Sequence, residues 1–506
     1  MKMFIARNFI IKIISFFIGA VICINVFLIL YDWLSLLFPS EETSDTSKIE
    51  MVRGWLDRWN ILYANKGLMI KVILILVVLF FIESGRNLIF FLLKRFFKFF
   101  ALLPGKQTLA FLSRYLSIGR FAFYKNQRDI FEKLKGQYPK GSRFVVLPMD
   151  MEYMKAGKTN ESYKMQMHEL VSIKAKHPSI FYPFVFIDPR RIKEQTDFFQ
   201  YRLGANQEVI LEDCEVKKYI EDNKFSGFKI YPALGYYPFE EELLPVWKYA
   251  VQHKLPILTH CIRGTIFYRG TKKAEWDTHR FFLENDSSPD PLLLPETKNQ
   301  DFQINFTHPL NYLVLLKEYF LTKAVARSTD PRIKLMFGFK DENTELQSNL
   351  HDLKLCFGHF GGDDEWQNYF EADRDQYSPA ILHKPFGIDF LKNAQGNFSN
   401  SKLAQLWKST DWYSIICSLM LQHPNVYSDI SYILHNPDIW PLLNDTLDRN
   451  SIPEGSRRLA DAVLFGTDFY VVRNHKSEKQ LFAELKHNLS LEEVDKISRI
   501  NPSQFV

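Results

Sequence analysis

The sequence predicts an α/β fold with a parallel sheet, closed as a (β/α)8 TIM barrel and preceded by two transmembrane helices. Two observations carry the barrel prediction. Apolar runs of strand length recur between residues 143 and 472, each closing on a polar side chain, and helical periodicity fills the intervals. In such a barrel the carboxyl ends of the strands meet at one rim, where the chemistry is built. We find seven strong strands and no normal first strand, although a closed barrel of this type has eight.

The clearest run is KLCFGHFGG, residues 354–362. Its apolar part is too short for a typical helix, His359 stands at its end, and two glycines then break it. A buried parallel strand that delivers one imidazole to its carboxyl end has this pattern. Four further runs follow the same pattern: LPILTHC with His260, AVLFGTDFY with Asp468, SGFKIYP with Lys229 and NVYSDISY with Asp429.

Composition argues against a nucleic-acid-binding protein. The net charge of the 506 residues is only +5, and no long basic run carries interleaved aromatic residues. The five cysteines are scattered, without a CxxC pair, and their odd number argues against a disulfide framework. A reducing compartment is therefore expected.

The first hundred residues predict a membrane hairpin. Residues 9–37 are almost entirely apolar, which is long enough for a transmembrane helix. The stretch exceeds the usual apolar core of a signal peptide, and no small-residue cleavage site follows it. A second apolar stretch covers residues 68–100 and is interrupted at 83–86.

Charge sets the expected topology. Basic residues precede the first stretch and follow the second, whereas the loop between them carries more acidic than basic residues. By the positive-inside rule both termini, and with them the large domain after the second stretch, face the cytoplasm, across a plasma membrane or a bacterial inner membrane. Trp55 and Trp59 lie four residues apart in the loop, a spacing that fits an interfacial helix or packing within the loop.

We divide the chain into a membrane anchor at 1–106, a helical linker at 107–142 and a barrel domain at 143–506 with insertions at about 262–332 and 363–408. Residues 209–223 are predicted to be helical, and no pair of predicted strands is connected by a sequence typical of a β-hairpin.

Three polar residues at strand ends predict a metal site. Two neutral imidazoles and one carboxylate, from His260, His359 and Asp468, suffice for Zn²⁺ or Mn²⁺ and leave a position for water. A bound metal would lower the pKa of that water and supply a hydroxide nucleophile. For a single histidine the alternative is a structural, hydrogen-bonded residue at a strand end. No local spacing such as HExxH is present, so the prediction depends on strand context.

Other polar residues near these strands stay open to more than one interpretation. Lys229 could be a snorkelling lysine, an ion-pair partner or, if carbamylated, a metal ligand. Asp150 and Glu152 lie on one face of an extended strand and could act as a metal-binding pair or as two solvated carboxylates. Asp429 is expected to accept hydrogen bonds behind the ligands. Sequence parity turns Cys261 and Cys356 away from the face of the histidines, and both are interpreted as packing residues.

At these residues the chain resembles the metal-dependent hydrolases of the amidohydrolase superfamily, especially the amidohydrolase 2, decarboxylase-like branch. The stretches that carry the resemblance run from residue 143 to about 472: FVVLPMDMEYMKAGK, PFVFIDPRR, GFKIYPALGYYPFEEELLPVWKYA, LPILTHC, LKLCFGHFGG, NVYSDISY and VLFGTDFY. The resemblance implies that His260 and His359 bind metal after the fifth and sixth strands. It implies that Asp468, after the eighth, is a ligand or general base, and that Lys229 occupies the fourth strand, where some members carry a carbamylated lysine.

One departure from the family pattern divides the functional predictions. The family opens with a His-x-His strand, and this sequence has no His-x-His. The first hypothesis is a membrane-anchored hydrolase or non-oxidative decarboxylase, with Asp468 and His260 as catalytic residues and zinc as the expected metal. The second is a degenerate pseudo-enzyme that serves as a membrane-tethered ligand-binding or signalling scaffold.

Partners follow from these hypotheses. We expect the lipid bilayer and a small-molecule substrate or ligand, we expect no nucleic acid, and oligomerisation stays open. We also expect residues 107–131 to pack as a helix over the gap that the missing first strand leaves.

Overall fold

The computed structural model describes residues 9–37, 44–82, 85–89, 91–92, 124, 126–159, 161–263, 267–298, 301–371, 377, 379–449, 457–473 and 475–506. The chain forms two compact units, Met1–Phe123 and Tyr124–Val506.

Among the described residues of the first unit, the helices with defined bounds are α1 at Phe9–Leu37, α2 at Ser44–Arg58 and α3 at Leu68–Phe81, and residues 85–89 are helical as well. Within the described part of the chain, α1 is the one helix long and apolar enough to cross a membrane, over the window Phe16–Ser35. A signal sequence passes the same test of length and composition. The 14 residues of α3 measure about 21 Å, short of the roughly 30 Å of a hydrocarbon core, so the predicted second transmembrane helix is not confirmed.

The second unit is built on parallel strands, as predicted. In chain order they are β1 at Phe144–Val146, β2 at Phe181–Pro183 continuing at Val185–Phe186, β3 at Phe228–Ile230, β4 at Ile257–Ile262, β5 at Leu355–Gly361, β6 at Val426–Asp429 and β7 at Val463–Leu464. Each strand pairs in parallel with its neighbours in the sequence. This order requires a crossover between consecutive strands, and helices supply most of the crossovers.

The sheet curls so that one of its faces encloses a small core. Side chains from strands that are not neighbours, together with the chain end, form this second cluster: Phe184, Leu258, Cys356, Tyr427, Leu464 and Phe505. The Lys354 Nζ atom donates to the Gln504 carbonyl at 2.9 Å, which holds the C-terminal residues beneath the strands. Contacts across so many strands require a strongly curved sheet, as in a barrel.

The two edges of the sheet approach each other without pairing in the described residues. Gln137 and Tyr138, just before β1, bond Arg473 and Thr467 after β7; the Arg473 Nη2 to Gln137 Oε1 distance is 2.9 Å. The Phe465 amide donates to the Ile497 carbonyl at 2.8 Å, so the C-terminal helices cover the β7 edge.

The segment expected to cover the gap is described only in part, because 107–123 lies outside the described residues. Its described part begins the helix Gln127–Lys135, whose Phe131 ring lies 5.5 Å from Phe144 and 4.8 Å from Phe181.

Helices surround the sheet. The α-helices of the second unit are Gln127–Lys135, Tyr163–Lys176, Pro189–Glu194, Glu215–Lys217, Leu244–His253, Ile304–Thr307, Leu313–Leu316, Glu318–Ala326, Pro331–Phe337, Asp363–Tyr369, Ala380–His383, Asn400–Ser409, Trp412–Gln422, Trp440–Asp448, Phe469–Val472, Glu478–Asn488, Leu491–Asp495 and Asn501–Phe505. Single π-helical turns occur at Lys218–Asp222 and Lys496–Ile500.

Two antiparallel hairpins correct the prediction that there are none. Tyr201–Leu203 pairs with Val209–Leu211, and Thr278–Leu283 pairs with Pro291–Leu293 inside the first insertion. The helix predicted over 209–223 therefore begins only at Glu215. In a segment of three residues, hydrophobic periodicity does not distinguish a strand from one turn of helix. The secondary structure of such a segment therefore depends on whether a partner strand pairs with it.

Candidate active site at the carboxyl ends of the strands

Two histidines meet at the ends of neighbouring strands. His260 on β4 is opposite Gly358 on β5, and His359 follows at once. The His260 Nδ1 atom lies 3.1 Å from His359 Nε2, with the ring planes at 75°. The His260 ring also stacks on Tyr231, at 3.8 Å between centroids. Both histidines are buried, so the sequence-predicted pair is brought together.

An unusual backbone aims the second imidazole. Four consecutive residues have positive φ: His359 at 67°, Phe360 at 45°, Gly361 at 82° and Gly362 at 99°. For the two that are not glycine this conformation costs about 1–2 kcal/mol each. The strand register shifts between Gly358 and Gly361, so side-chain alternation does not continue through His359. Strain of this kind is concentrated at functional sites.

The same irregularity corrects the parity argument for Cys356. Its Sγ atom contacts Asp429 Oδ2 at 3.8 Å and is therefore on the same side of the sheet as the acid behind His359. Strict alternation along β5 would have put Cys356 and His359, three residues apart, on opposite faces of the sheet.

Asp429 organises the back of the site. Its Oδ1 atom accepts from the His359 amide at 3.1 Å, from the Ser431 amide at 3.0 Å and from the Ser431 hydroxyl. Gly466 leaves room for this cluster, because a Cβ atom there would lie 2.9 Å from Ser431 Cβ. The expectation that Asp429 accepts hydrogen bonds behind the histidines agrees with these contacts.

Ser431 determines which nitrogen of His359 carries the proton. A carboxylate only accepts hydrogen bonds, so the Ser431 hydroxyl donates its proton to Asp429. The Ser431 hydroxyl oxygen, 2.9 Å from His359 Nδ1, then accepts from that nitrogen, and the Ser431 carbonyl lies 3.3 Å from the same atom. The Nε2 atom of His359 is left with a lone pair that faces His260. Sequence reasoning missed Ser431, although its position two residues after Asp429 places it on the same face of an extended segment.

Lys229 and Asp468 supply charge to the same site. Burial lowers the pKa of Lys229 to about 8, and the nearby Asp429 and Asp468 only partly oppose this shift. Burial raises the pKa of Asp468, while His359 and Lys229 act in the opposite direction. Burial, together with His359 and Lys229, holds the pKa of His260 well below its usual range, so that His260 is neutral near pH 7.

The histidine pair fits two ligands of a single divalent ion. Two nitrogens at about 2.0–2.1 Å from a tetrahedral zinc are separated by about 3.3 Å, close to the 3.1 Å found here. The other ring nitrogen of His260, Nε2, is buried and has no hydrogen-bond partner among the described residues. However, among the described residues no three His, Cys, Asp or Glu side chains are grouped closely enough to hold a metal. The three-ligand site with Asp468 stays a prediction.

Asp150 and Glu152 both form ion pairs with an arginine side chain. The Arg191 guanidinium donates to Asp150 Oδ2 at 2.6 Å through Nε and to Glu152 Oε2 at 2.7 Å through Nη2. Asp150 is fully buried, and the structure thus places neither acid as a free, solvated carboxylate. Sequence reasoning missed Arg191, because an arginine after a strand has no local mark that separates an ion-pair partner from a surface residue.

A cavity of about 190 Å³ lies beyond β4 and β5, between the two insertions. Arg263, three residues after His260, and Glu365, six residues after His359, are in its wall, with 3.4 Å between Arg263 Nε and Glu365 Oε1. Trp407 and Trp412 also line it.

No family model matches this sequence, and no curated protein matches it. Among solved structures, the chain is similar to 2,6-dihydroxybenzoate decarboxylase from Rhizobium, at 14% identity and a TM-score of 0.32, covering 72% of this chain and 83% of that chain. A 5-carboxyvanillate decarboxylase from Novosphingobium aromaticivorans, complexed with manganese, shows 11% identity, a TM-score of 0.35 and coverage of 74% and 79%. A 4-oxalomesaconate hydratase from Rhodopseudomonas palustris shows 14% identity, a TM-score of 0.33 and coverage of 75% and 81%. TM-scores this low carry no argument, so fold and site rest on the chain's own geometry.

Proposed function

We propose that this chain is a membrane-anchored, metal-dependent enzyme of the amidohydrolase type. It acts on a small organic substrate by hydrolysis or by the related reaction, non-oxidative decarboxylation. The observation that carries the proposal is the 3.1 Å approach of His260 Nδ1 to His359 Nε2 at the ends of adjacent parallel strands. The sequence resemblance supports the same assignment.

A divalent metal, zinc or manganese, would be held by His260 and His359, with Asp468 as the third side chain. When bound, such an ion supplies a water whose pKa falls to about 7. Ser431 and Asp429 keep the proton of His359 on Nδ1 and leave its Nε2 lone pair available. Such hydrogen bonds orient ligating histidines and increase their basicity.

Asp468 is the proposed general base. Burial raises its pKa, and a carboxylate with a raised pKa removes a proton more effectively near neutrality. Lys229 provides a nearby amine whose charge is easily lost, because its pKa is about 8. It would orient an anionic substrate group when protonated, or become a ligand if carbamylated.

The test is the metal content of the full-length protein, followed by metal titration. We expect about one tightly bound divalent ion in the wild type and none in His359→Gln. The control is His423→Gln, which removes a buried histidine at the end of the helix Trp412–Gln422 and should leave the metal content unchanged. A metal-free wild type that binds no added zinc or manganese would contradict the proposal.

A second function is favoured by two observations, the missing three-ligand group among the described residues and the capture of Asp150 and Glu152 by Arg191. It is a pseudo-enzyme that binds a small ligand in the cavity beside β4 and β5. In this case Arg263→Ala should abolish ligand binding while the histidine variants leave it intact, and no variant should change metal content.

The proposed anchor places both termini in the cytoplasm. A reporter that is active only in the cytoplasm should work when fused after Val506, and the same reporter inserted near Thr43 should be inactive. The opposite pair of results would contradict this topology.

A further inference from the structure

Tryptophans are distributed unequally between the two units. Trp33, Trp55 and Trp59 in the first unit are 36%, 54% and 65% exposed. The six tryptophans of the second unit are all buried, between 1% and 8% exposed: Trp247, Trp276, Trp366, Trp407, Trp412 and Trp440. Exposed indoles are concentrated where proteins meet the boundary between lipid and water, since the ring is apolar and its N–H is polar.

The three exposed tryptophans lie in one section of the first unit. Helix α2 runs antiparallel to the second half of α1: Arg53 pairs with Asp32, and Leu56 packs with Leu28 and Ile29. Trp33 on α1 and Trp55 on α2 therefore lie within about two helical turns of each other along the common axis.

Helix α2 is too polar for the hydrocarbon core. Its 15 residues include Lys48, Glu50, Arg53, Asp57 and Arg58. Charged side chains at the bilayer centre are costly, so the part of α1 that packs against α2 lies outside the hydrocarbon core as well.

Asn25 marks where this outer section begins. It lies at the middle of the apolar window Phe16–Ser35 and is fully buried. Its Nδ2 atom donates to the Ile61 carbonyl at 3.0 Å, and its Oδ1 atom accepts from the amides of Tyr63 at 2.6 Å and Ala64 at 3.0 Å. Non-helical backbone cannot face lipid, because lipid offers it no hydrogen bonds. In the turn after α2, the Asn25 side chain supplies these hydrogen bonds to the backbone.

One face of α2 is apolar and uncovered within its unit. Met51, Val52 and Trp55, with Trp59 just beyond the helix, are exposed, and this spacing places them within about 100° around the axis. An exposed apolar face that carries tryptophans, on a helix pair that continues a membrane-crossing helix, is typical of a surface that contacts the interfacial region of the bilayer.

We propose that the outer boundary of the bilayer lies at the level of Asn25, not at the end of α1. Residues 9–25 of α1 then cross the hydrocarbon core, at about 25 Å and within the accepted range of length. The remainder of α1 and α2 form a helical hairpin, whose exposed tryptophans insert into the interfacial region of a phospholipid bilayer. This inference depends on the proposed membrane anchoring and goes beyond it, because it assigns a lipid-binding surface to the segment between the apolar stretches.

The test is quenching of tryptophan fluorescence in the full-length protein reconstituted into phosphatidylcholine vesicles with brominated acyl chains. Bromines near the headgroups should quench up to about a third of the emission, since three of the nine tryptophans are exposed. Bromines near the chain ends should quench several-fold less. The triple variant W33F/W55F/W59F should lose nearly all quenching, and the control W247F should retain it.

Flotation of the same vesicles separates the possible failures. Protein that does not float with the vesicles contradicts the anchor itself. Protein that floats, but whose quenching is unchanged in the triple variant, contradicts the lipid-facing surface. Protein that floats and is quenched most strongly by the deepest bromines contradicts the boundary at Asn25. The metal content of the second unit is independent of all three results.

Discussion

Asp150 and Asp429 are both buried aspartates near the carboxyl ends of parallel strands of the second unit, but their neighbours differ. Asp150, after β1, pairs with the Arg191 guanidinium at 2.6 Å, which also binds Glu152. Asp429, at the end of β6, accepts from backbone amides and the Ser431 hydroxyl. The guanidinium neutralises Asp150 within a closed ion-pair network. The neutral donors leave the charge of Asp429 to act on Lys229. A carboxylate at a strand end is therefore structural or functional according to its partners.

The largest expected effect is on the Asp150 side. Arg191→Met leaves a buried carboxylate without its cation, and the free energy of unfolding should fall by about 3–5 kcal/mol. Urea denaturation measures the change. Arg332→Met is the matched control, because the Arg332–Asp330 pair is much more exposed and should contribute about 1 kcal/mol or less. Equal losses in the two variants would show that Asp150 does not depend on its partner.

The next effect is a pH dependence on the Asp429 side. In the folded protein the pKa of Lys229 is about 8, below the usual 10.5. Between these values the unfolded chain binds more protons than the folded one, so this group makes stability rise with pH from about 8 to 10.5. The gain is on the order of 3 kcal/mol in total. It is measured as the difference between wild type and Lys229→Met in denaturation at several pH values.

A carbamylated Lys229 would behave differently. It carries no ammonium, so the pH-dependent difference between wild type and Lys229→Met should disappear when bicarbonate is supplied and return when it is removed. A difference that ignores both pH and bicarbonate would contradict the assigned burial of a free amine.

The smallest effect concerns the proton on His359. Ser431→Ala removes the link between Asp429 and the ring, and metal affinity should fall about 10- to 100-fold, or roughly 1.4–2.8 kcal/mol. Metal titration gives the affinity, and nitrogen NMR of the imidazole should show a smaller population of the Nδ1–H form, which the Ser431 carbonyl at 3.3 Å still favours. Ser431→Thr keeps the hydroxyl and serves as the control. An unchanged tautomer in Ser431→Ala would assign the proton to another contact.

Several elements of the fold could be predicted from sequence because they are encoded locally. The runs around His260, His359 and Asp429 are apolar enough to be buried strands, and each ends within a residue or two of the predicted polar group. Parallel pairing follows from the helical segments between them. The hairpin at Tyr201–Leu203 and Val209–Leu211 was missed, since three-residue strands acquire their identity from a partner and not from periodicity.

By itself the sequence determined the strand-ending histidines, the parallel sheet and the apolar first helix, because hydrophobic patterning and residue chemistry are local properties. Only the tertiary structure decided that His359 turns toward His260, through four successive positive φ angles that no pattern announces. It also decided that Arg191 donates hydrogen bonds to Asp150 and Glu152, and that Ser431 donates one to Asp429. The physical reason is that a buried charge is satisfied by whichever donor the fold brings within hydrogen-bond distance, and that donor comes from a distant part of the chain or from a turn whose geometry is set by packing.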